Sequence, residues 1–278
     1  MANFEQKIGF IGSGRMATAL ARGCVESGLV AGERVLAADP SQAARAAFGE
    51  QVAGARLVED NQQLLAEADL VVLAVKPQIM PEVLDDISRN DGAKGVGSHH
   101  LLVSIAAGVT LRKLAAGLPE GTRLVRVMPN TPCLVGLGAS CFSLSEHANE
   151  ADGQAVQQIL ESVGRAFQVE ESMLDAVTGL SGSGPAFIYR VVEAMAAGGV
   201  ASGLTAELAL ELAAQTTRGA AEMVLSTGKT PNELCQQVTS PGGTTLAGLE
   251  AFEKKGDGKS LIAAVEAATQ RSIELGQA

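Results

Sequence analysis

Hydrophobic and polar positions follow different patterns in the two halves of the chain. In the first half, apolar runs alternate with segments of helical periodicity, and the runs are KIGFI, RVLAA, ARLV, DLVVLAV, LLVSIAA and RLVRVM. The segments between them are long enough for crossover helices, which join parallel strands. DLVVLAV is apolar on both sides, as in a strand that lies between two helix layers. The pattern predicts an α/β fold with a doubly wound parallel sheet.

The pattern changes after AFQV, the last run that predicts a strand. Beyond it we expect long helices, which include one that begins at Pro185, one capped by Thr205 and one over SLIAAVEAATQRSIELG. We therefore divide the chain into a sheet domain, residues 1–168, and a helical domain, residues 169–278. The helices are rich in Ala and Gly and apolar on more than one face. Either they form a tight core within one chain or two copies interlock, and we favour the second.

The first apolar run leads into a glycine turn, IGFIGSGRMA, with the spacing GxGxxA. A strand that passes through glycines into a helix leaves free backbone N–H groups at the positive helix end, where a pyrophosphate binds. Ala17, the last residue of the motif, lets the helix approach the strand closely. The alternative is a turn without a ligand. A dinucleotide would lie at the carboxyl ends of the strands, which are followed by GSGRMA, DPSQ, KPQ, AAGV and PNTP.

Composition and charge narrow the classes of partner. The net charge is −10 and the chain has no Lys/Arg-rich block, no Trp and one Tyr, so nucleic acid is not an expected partner. No apolar run is long enough for a membrane span, and MANFEQK lacks the pattern of a signal peptide, so we expect a cytoplasmic protein. The four cysteines form no C-x-x-C pair, which argues against a metal site.

Histidine is poorly placed for catalysis. His99 and His100 precede the fifth predicted strand, at the end of the sheet opposite to the expected site, and His147 lies in a polar turn. We expect all three to face solvent. Reduction of a protonated C=N bond needs no strong acid, because hydride addition leaves a neutral amine and no oxyanion. Such a site needs positioning and hydrogen bonds, which glycines and hydroxyls supply.

Two clusters of glycines and hydroxyls occur in the second half, GLSGSGPAF at residues 179–187 and SPGGTTLAG at residues 240–248. Each places small polar residues at the start of a predicted helix, where free N–H groups can bind a carboxylate. Ser183 and Thr244 would also serve as ordinary helix caps. Capping alone does not account for two such dense clusters in an apolar half, and we favour a substrate site.

Six segments occur in the order and spacing of the pyrroline-5-carboxylate reductases, and they are IGFIGSGRMA, AVKPQ, VSIAAGVT, MPNTP, LSGSGPAF and SPGGTTLAGLE. This resemblance covers essentially the whole chain. It implies a Rossmann domain, a helical dimerisation domain and an intertwined homodimer, often assembled into a decamer. It also implies an oxidoreductase of proline biosynthesis, which reduces 1-pyrroline-5-carboxylate to L-proline with NADP as the cofactor. One departure is Phe187, where many relatives have Tyr.

The resemblance also assigns site residues. It implies cofactor contacts at Gly12, Ser13, Gly14, Arg15, Met16, Ala17, Asn61, Ala74, Val75, Lys76, Pro77, Ala106, Ala107, Met128, Pro129 and Asn130. It implies a substrate site at Ser183, Ser240, Gly242, Gly243, Thr244 and Thr245. Thr245 is the predicted catalytic residue, because the resemblance places its hydroxyl beside the ring nitrogen of the imine.

Cofactor choice depends on charges at the end of the second strand. Asp39 occupies the position where an acid accepts the ribose 2′-hydroxyl of NAD and repels the 2′-phosphate of NADP. Arg15, Ser41, Arg45 and Asn61 would offset that repulsion. The family favours NADPH and Asp39 favours NADH, so we expect both to work, with NADPH slightly preferred.

Two other functions stay open on the sequence. The β-hydroxyacid dehydrogenases also combine a sheet domain with a helical half, but the G-x-x-x-K-x-x-x-N pattern of their lysine helix is absent after residue 170. A nicotinamide-binding sensor would bind the cofactor without consuming it. That interpretation leaves the SPGGTT cluster unexplained.

Overall fold

The structure, a computed structural model, describes residues 4–89, 95–254 and 257–277. The chain forms two compact units, one of residues up to 183 together with those from 267 onward, and one of residues 184–266. These units divide the chain differently from the predicted domains 1–168 and 169–278, and the domain boundary stays a prediction. Of the segment MANFEQK, which lacks a signal pattern, the first three residues lie outside the described ranges.

One sheet of eight strands runs through the described part of the first unit. The strands are β1 Ile8–Ile11, β2 Val35–Ala38, β3 Arg56–Val58, β4 Leu70–Leu73, β5 Leu101–Ser104, β6 Arg123–Met128, β7 Gly138–Leu144 and β8 Gly164–Gln168. Their order is β3-β2-β1-β4-β5-β6-β7-β8, and every pair of neighbours is parallel except β6 and β7. The first six strands have the order of dinucleotide-binding sheets. The predicted doubly wound sheet is therefore confirmed.

The hydrophobic pattern did not predict β7. Its sequence GASCFSL has no β-branched residue, and Ser140 and Ser143 occupy buried positions in it. The predicted strand at AFQV corresponds to β8, and no strand follows it among the described residues. β7 pairs antiparallel with β6 and parallel with β8, so the sheet is mixed at this edge.

Helices and apolar layers cover both faces of the sheet. The helices of the first unit are α1 Arg15–Glu26, α2 Gln42–Gln51, α3 Asn61–Leu65, α4 Met80–Ser88, α5 Leu111–Ala116, α6 Glu150–Glu161 and α7 Leu174–Val177. A π-helical turn at Thr178–Gly182 follows α7. Alternate residues of a strand face opposite layers. In β1, Phe10 packs in the layer that contains Leu20 of α1, and Ile11 packs in the layer that contains Leu84 of α4.

The second unit is built from helices that leave apolar side chains exposed. The remaining helices are α8 Gly184–Ala201, α9 Ala206–Thr227, α10 Pro231–Gln237, α11 Thr244–Lys254 and α12 Asp257–Gln277, whose last turns belong to the first unit. As predicted, Thr205 caps α9 by accepting a hydrogen bond from the Leu208 amide. Gly228 ends this helix in the left-handed conformation. α8 has only two charged residues, yet none of its residues is buried. No helix in the described ranges combines the length and apolarity that crossing a membrane requires.

The expectation that all three histidines face solvent is wrong for His100, whose side chain is buried. The Gly97 amide donates to Nδ1 at 2.8 Å, so Nδ1 is an acceptor, and Nε2 donates to the Leu65 carbonyl at 2.9 Å. Burial lowers the pKa of His100, because the charged imidazolium would lose its solvation. His99 and His147 are exposed, as expected.

Candidate active site

The glycine turn lies between β1 and α1, where the strand order of the sheet reverses between β1 and β4. Gly12 has a φ of +96°, and a Cβ at this position would lie 2.8 Å from the Ala74 carbonyl oxygen. Gly12 therefore permits the close approach of the two strand ends. Gly14 differs, because its φ of −71° suits any residue and a Cβ would meet no atom within 4 Å. The space in front of Gly14 is open.

The residues of this turn fit a bound pyrophosphate. α1 has no side-chain cap, so the N–H groups of its first turn lack a capping acceptor. The hydroxyl of Ser13 is buried and has no hydrogen-bond partner among the described residues. Ala17 is buried and packs in the same apolar layer as Phe10, so a small residue here brings the helix close to the sheet. Free donors beside an open space are what a dinucleotide phosphate would complete.

Asp39 follows β2, and both oxygens of its carboxylate accept hydrogen bonds from the backbone. Oδ2 accepts from the Ser13 amide at 2.9 Å, and Oδ1 accepts from the Ser41 amide at 2.8 Å. The Arg45 guanidinium donates to the backbone carbonyl of Asp39. Asp39 therefore connects the glycine turn to the start of α2. This role comes in addition to the ribose contact that its position predicts.

The other predicted cofactor residues follow neighbouring strands at the same end of the sheet. Asn61 begins α3 just after β3, and its side-chain amide donates to Asp86 Oδ2 at 2.8 Å. The segment 74–77 follows β4, and the Ala74 amide donates to the Ile11 carbonyl at 2.8 Å beside the glycine turn. The pair 106–107 follows β5, with the first alanine buried and the second exposed. The structure thus brings these segments together at the carboxyl ends of the parallel strands.

The π-helical turn is held against the end of β6. The side-chain amide of Asn130 donates to the Ser181 carbonyl at 3.0 Å, and its oxygen accepts from the Ala139 amide at 2.9 Å. A Cβ on Gly182 would lie 2.4 Å from Cε of Met128, so Gly182 packs directly against the end of that side chain. Met128 and Asn130, two of the predicted cofactor residues, therefore lie next to the first of the two hydroxyl clusters.

The second hydroxyl cluster has a backbone that favours glycine at two positions. Gly242 has a φ of +69°, and a Cβ on Gly243 would lie 2.4 Å from Oγ of Ser240. α11 begins at Thr244, and the hydroxyls of Thr244 and Thr245 make no hydrogen bond to another described residue. Ordinary side-chain capping therefore does not explain these threonines.

Ser183, from the first cluster, and the loop of the second cluster belong to different compact units. Ser183 lies in the first unit, is partly exposed and makes no side-chain hydrogen bond to another described residue. The loop 240–245 lies in the second unit. That Ser183 and this loop face one substrate stays a prediction.

The described residues offer no cluster of metal ligands, and three of the four cysteines are poor nucleophiles. These contain no group of three or more His, Cys, Asp or Glu side chains that is arranged to hold a metal ion. Burial raises the pKa of Cys24 to about 12 and also raises the pKa of Cys133 and Cys141. These three side chains are therefore neutral thiols at physiological pH.

Sequence reasoning missed a buried ion-pair cluster beside the site. Arg126 lies two residues before Met128 on β6, and its side chain is 5% exposed. Its guanidinium faces Glu171 and Asp175 at 3.1 Å and 3.7 Å. The sequence feature that indicates this cluster is the arginine at position 126, inside the apolar run RLVRVM. A charge in a buried strand requires partners of opposite charge.

Two family models match the two parts of the chain. Residues 171–275 match "Pyrroline-5-carboxylate reductase dimerisation", and residues 7–108 match "NADP oxidoreductase coenzyme F420-dependent". Together they cover most of the sequence and place a dimerisation domain after a nicotinamide-cofactor domain.

Similar proteins extend the match to nearly full length. The pyrroline-5-carboxylate reductase of Glycine max is 45% identical over 96% of this chain and 95% of its own, and that of Methanosarcina acetivorans is 45% identical over 98% and 99%. The reductase structure from Coxiella burnetii has a TM-score of 0.87 and 34% identity, and covers 97% of this chain and 98% of its own. The Plasmodium falciparum pyrroline carboxylate reductase with NADP bound has a TM-score of 0.85 and 33% identity, with 98% of both chains covered. The chain belongs to the pyrroline-5-carboxylate reductase family.

Proposed function

We propose that this protein reduces 1-pyrroline-5-carboxylate to L-proline with a reduced nicotinamide cofactor, the last step of proline biosynthesis. Relatives with this name at 45% identity over nearly the whole chain support the proposal. The observation in the structure that carries it is the set of hydroxyls at Ser183, Thr244 and Thr245, which bond to no other residue in the described ranges, in a chain whose β1–α1 turn fits a dinucleotide. The β-hydroxyacid dehydrogenase alternative is not favoured by these relatives.

The first unit would hold the cofactor through its backbone. The open space at Gly14 admits the pyrophosphate, and the first turn of α1 donates N–H groups to it. When bound, the reduced nicotinamide supplies a hydride. The segments 106–107 and 128–130 would border the nicotinamide, so that its ring lies beside the π-helical turn. Every one of these contacts orients a reactant and none requires a strong acid.

The second hydroxyl cluster would hold the substrate. The N–H groups at the start of α11 are suited to the carboxylate, because the positive end of a helix favours an anion. The hydroxyl of Thr245 would accept a hydrogen bond from the protonated ring nitrogen and so orient the C=N carbon for hydride attack. The nitrogen already carries its proton, so addition of the hydride completes the reaction without a histidine acid.

Substitution of Thr245 tests this role. Loss of a hydrogen bond to a charged group costs about 1.5–3 kcal/mol, so Thr245→Ala should lower kcat/KM for pyrroline-5-carboxylate roughly 10- to 150-fold. Thr245→Ser keeps the hydroxyl and should recover most of the activity, while NADPH affinity should barely change in either variant. A normal kcat/KM in folded Thr245→Ala, with only a lower Tm, would show that the residue merely begins the helix.

For the cofactor, we propose that NADPH and NADH both serve, with NADPH slightly preferred. The Plasmodium falciparum relative binds NADP, which supports a place for the 2′-phosphate. Arg15 is exposed at the start of α1, and Arg45 lies near Asp39. Their positive charges would offset the repulsion between the Asp39 carboxylate and that phosphate.

For the assembly, we propose an intertwined homodimer that assembles further into a decamer in the cytoplasm. The match to a dimerisation domain supports an oligomer. The lack of buried residues in α8 supports it as well, because an apolar helix needs a surface to cover it. The decamer and the cytoplasmic location are supported by the resemblance to the family.

A further inference from the structure

A buried guanidinium joins β6 to residues from two distant parts of the chain. Arg126 Nη1 lies 3.1 Å from Glu171 Oε1, and its Nη2 lies 3.7 Å from Asp175 Oδ1. The hydroxyl of Ser272, on α12, donates to the same Asp175 oxygen at 2.7 Å. Ser272 is only 4% exposed and lies 97 residues beyond Asp175 in the chain. All four residues belong to the first compact unit.

These contacts hold one end of the segment 171–183, and β6 also holds its other end. Asn130 lies just after β6, and its side-chain amide donates to the Ser181 carbonyl at 3.0 Å. The segment is therefore attached at its start to Arg126 and near its end to Asn130. The π-helical turn follows the first attachment and contains the second, at Ser181. Such turns are rare and occur frequently at functional sites.

The charges around Arg126 explain the role of Ser272 in this cluster. A buried guanidinium is tolerated only where carboxylates face it, so Glu171 and Asp175 must stay in place for Arg126 to remain buried. Glu171 has a second support, because its Oε1 also accepts from the Leu111 amide at 2.7 Å. Asp175 has the longer contact to the guanidinium, and Ser272 supplies its short hydrogen bond. The hydroxyl thus fixes the less constrained of the two carboxylates.

We propose that Ser272 and Asp175 are positioning residues for the substrate site. Through Arg126 they set the place of the segment 171–183, and therefore of Ser183, relative to the end of β6. The inference rests on the proposed function, in which Ser183 faces the imine substrate. Its consequence is that a change at Ser272 affects use of the substrate and leaves binding of the cofactor unchanged.

The primary test compares Ser272→Ala with Ser272→Thr, which keeps the hydroxyl. Ser88→Ala is the matched control, because the hydroxyl of this partly exposed serine on α4 donates to the Asp85 carbonyl of its own helix and to no residue of another element that the structure describes. Steady-state kinetics give kcat and KM for pyrroline-5-carboxylate, titration gives the NADPH Kd, and amide hydrogen exchange reports on residues 171–183.

We expect Ser272→Ala to lower kcat/KM for the imine about 5- to 20-fold, less than the loss of a direct contact with a charged substrate would. Exchange should accelerate at least about fivefold in residues 171–183 and stay unchanged in β1 to β4. The NADPH Kd should stay within about twofold. Ser272→Thr and Ser88→Ala should match the parent protein.

A second variant, Asp175→Asn, keeps an acceptor for Ser272 but removes the charge that faces Arg126, and it should give the same pattern. The inference is overturned by unchanged kcat/KM and exchange in Ser272→Ala, by faster exchange throughout the sheet, by a parallel loss of NADPH affinity, or by failure of both variants to fold. A parent protein that does not reduce pyrroline-5-carboxylate contradicts the proposed function instead, and the local exchange of residues 171–183 then still decides whether Ser272 positions the segment.

Discussion

Gly14→Val separates a phosphate-binding turn from a turn that only reverses the chain. The backbone of Gly14 has φ −71° and ψ 177°, an extended conformation that valine adopts without strain. Apart from its chain neighbours, a Cβ there meets no atom of the described residues within 4 Å, so the valine side chain begins in open space. The change should therefore spare the fold and obstruct a ligand.

The expected magnitudes follow from these two facts. Glycine is a better residue than valine at a helix N-cap, which makes the cost to stability about 0.5–1 kcal/mol, or a Tm lower by a few degrees. A pyrophosphate displaced from the start of α1 loses at least one charge-assisted hydrogen bond, worth about 1.5–3 kcal/mol. The NADPH Kd should then rise roughly 10- to 150-fold.

The contrasting variant is Gly12→Ala. Its φ of +96° and the 2.8 Å approach of its Cβ to the Ala74 carbonyl predict a loss of stability of about 1–3 kcal/mol. Calorimetric titration with NADPH and thermal melts measure both quantities for each variant. If folded Gly14→Val binds NADPH within a factor of two of the parent protein, the turn holds no phosphate and the assignment of the cofactor site is refuted.

Three further predictions concern cofactor choice, assembly and pH. Asp39→Ser should raise the ratio of kcat/KM for NADPH to that for NADH about tenfold or more, because it removes a negative charge near the 2′-phosphate. An unchanged ratio would mean that the Asp39 carboxylate does not interact with that phosphate. Ala197 is exposed on α8, so Ala197→Leu should leave the single chain folded but weaken the dimer by about 1–3 kcal/mol through overpacking, as light scattering would show against an Ala151→Leu control on α6. A fully active monomer, in variant or parent, excludes the dimer interface. The pKa of His100 is lower in the folded chain than its ordinary value of 6.5, so below about pH 6.5 the unfolded chain binds a proton more readily than the folded chain does. The free energy of unfolding should therefore fall as the pH decreases below about 6.5. Urea denaturation at about pH 7.5 and about pH 5.5 should show a smaller fall for His100→Gln than for the parent, and equal falls contradict the burial of a neutral imidazole.

The sequence predicts most of the sheet because its buried strands are continuous apolar runs bounded by turns. β7 escapes this reasoning, since GASCFSL is a strand of small and polar residues whose serines are buried by its neighbours. The position of His100 is unpredictable for a similar reason. Three polar residues in the loop segment GSHH indicate solvent exposure, whereas the fold buries the ring of His100 and satisfies both of its nitrogens.

Contacts between distant residues are the part of the site that sequence patterns do not reveal. The position of Asp39 after β2 predicts a ribose contact, but its hydrogen bond to the Ser13 amide depends on where two strand ends meet. The same holds for Ser272, because nothing in the helical repeat of α12 indicates a partner at Asp175. Local patterns predict segments, and only the tertiary structure pairs them.

The most direct test of the proposed reaction follows the hydride itself. The protein is incubated with pyrroline-5-carboxylate and NADPH that carries deuterium at the transferable position of the nicotinamide, and the product is analysed by mass spectrometry. The proposed reaction predicts L-proline with one deuterium on the ring carbon that belonged to the C=N bond, formed in equal amount to the NADPH consumed. Cofactor binding without consumption, or proline without deuterium at that carbon, would contradict it.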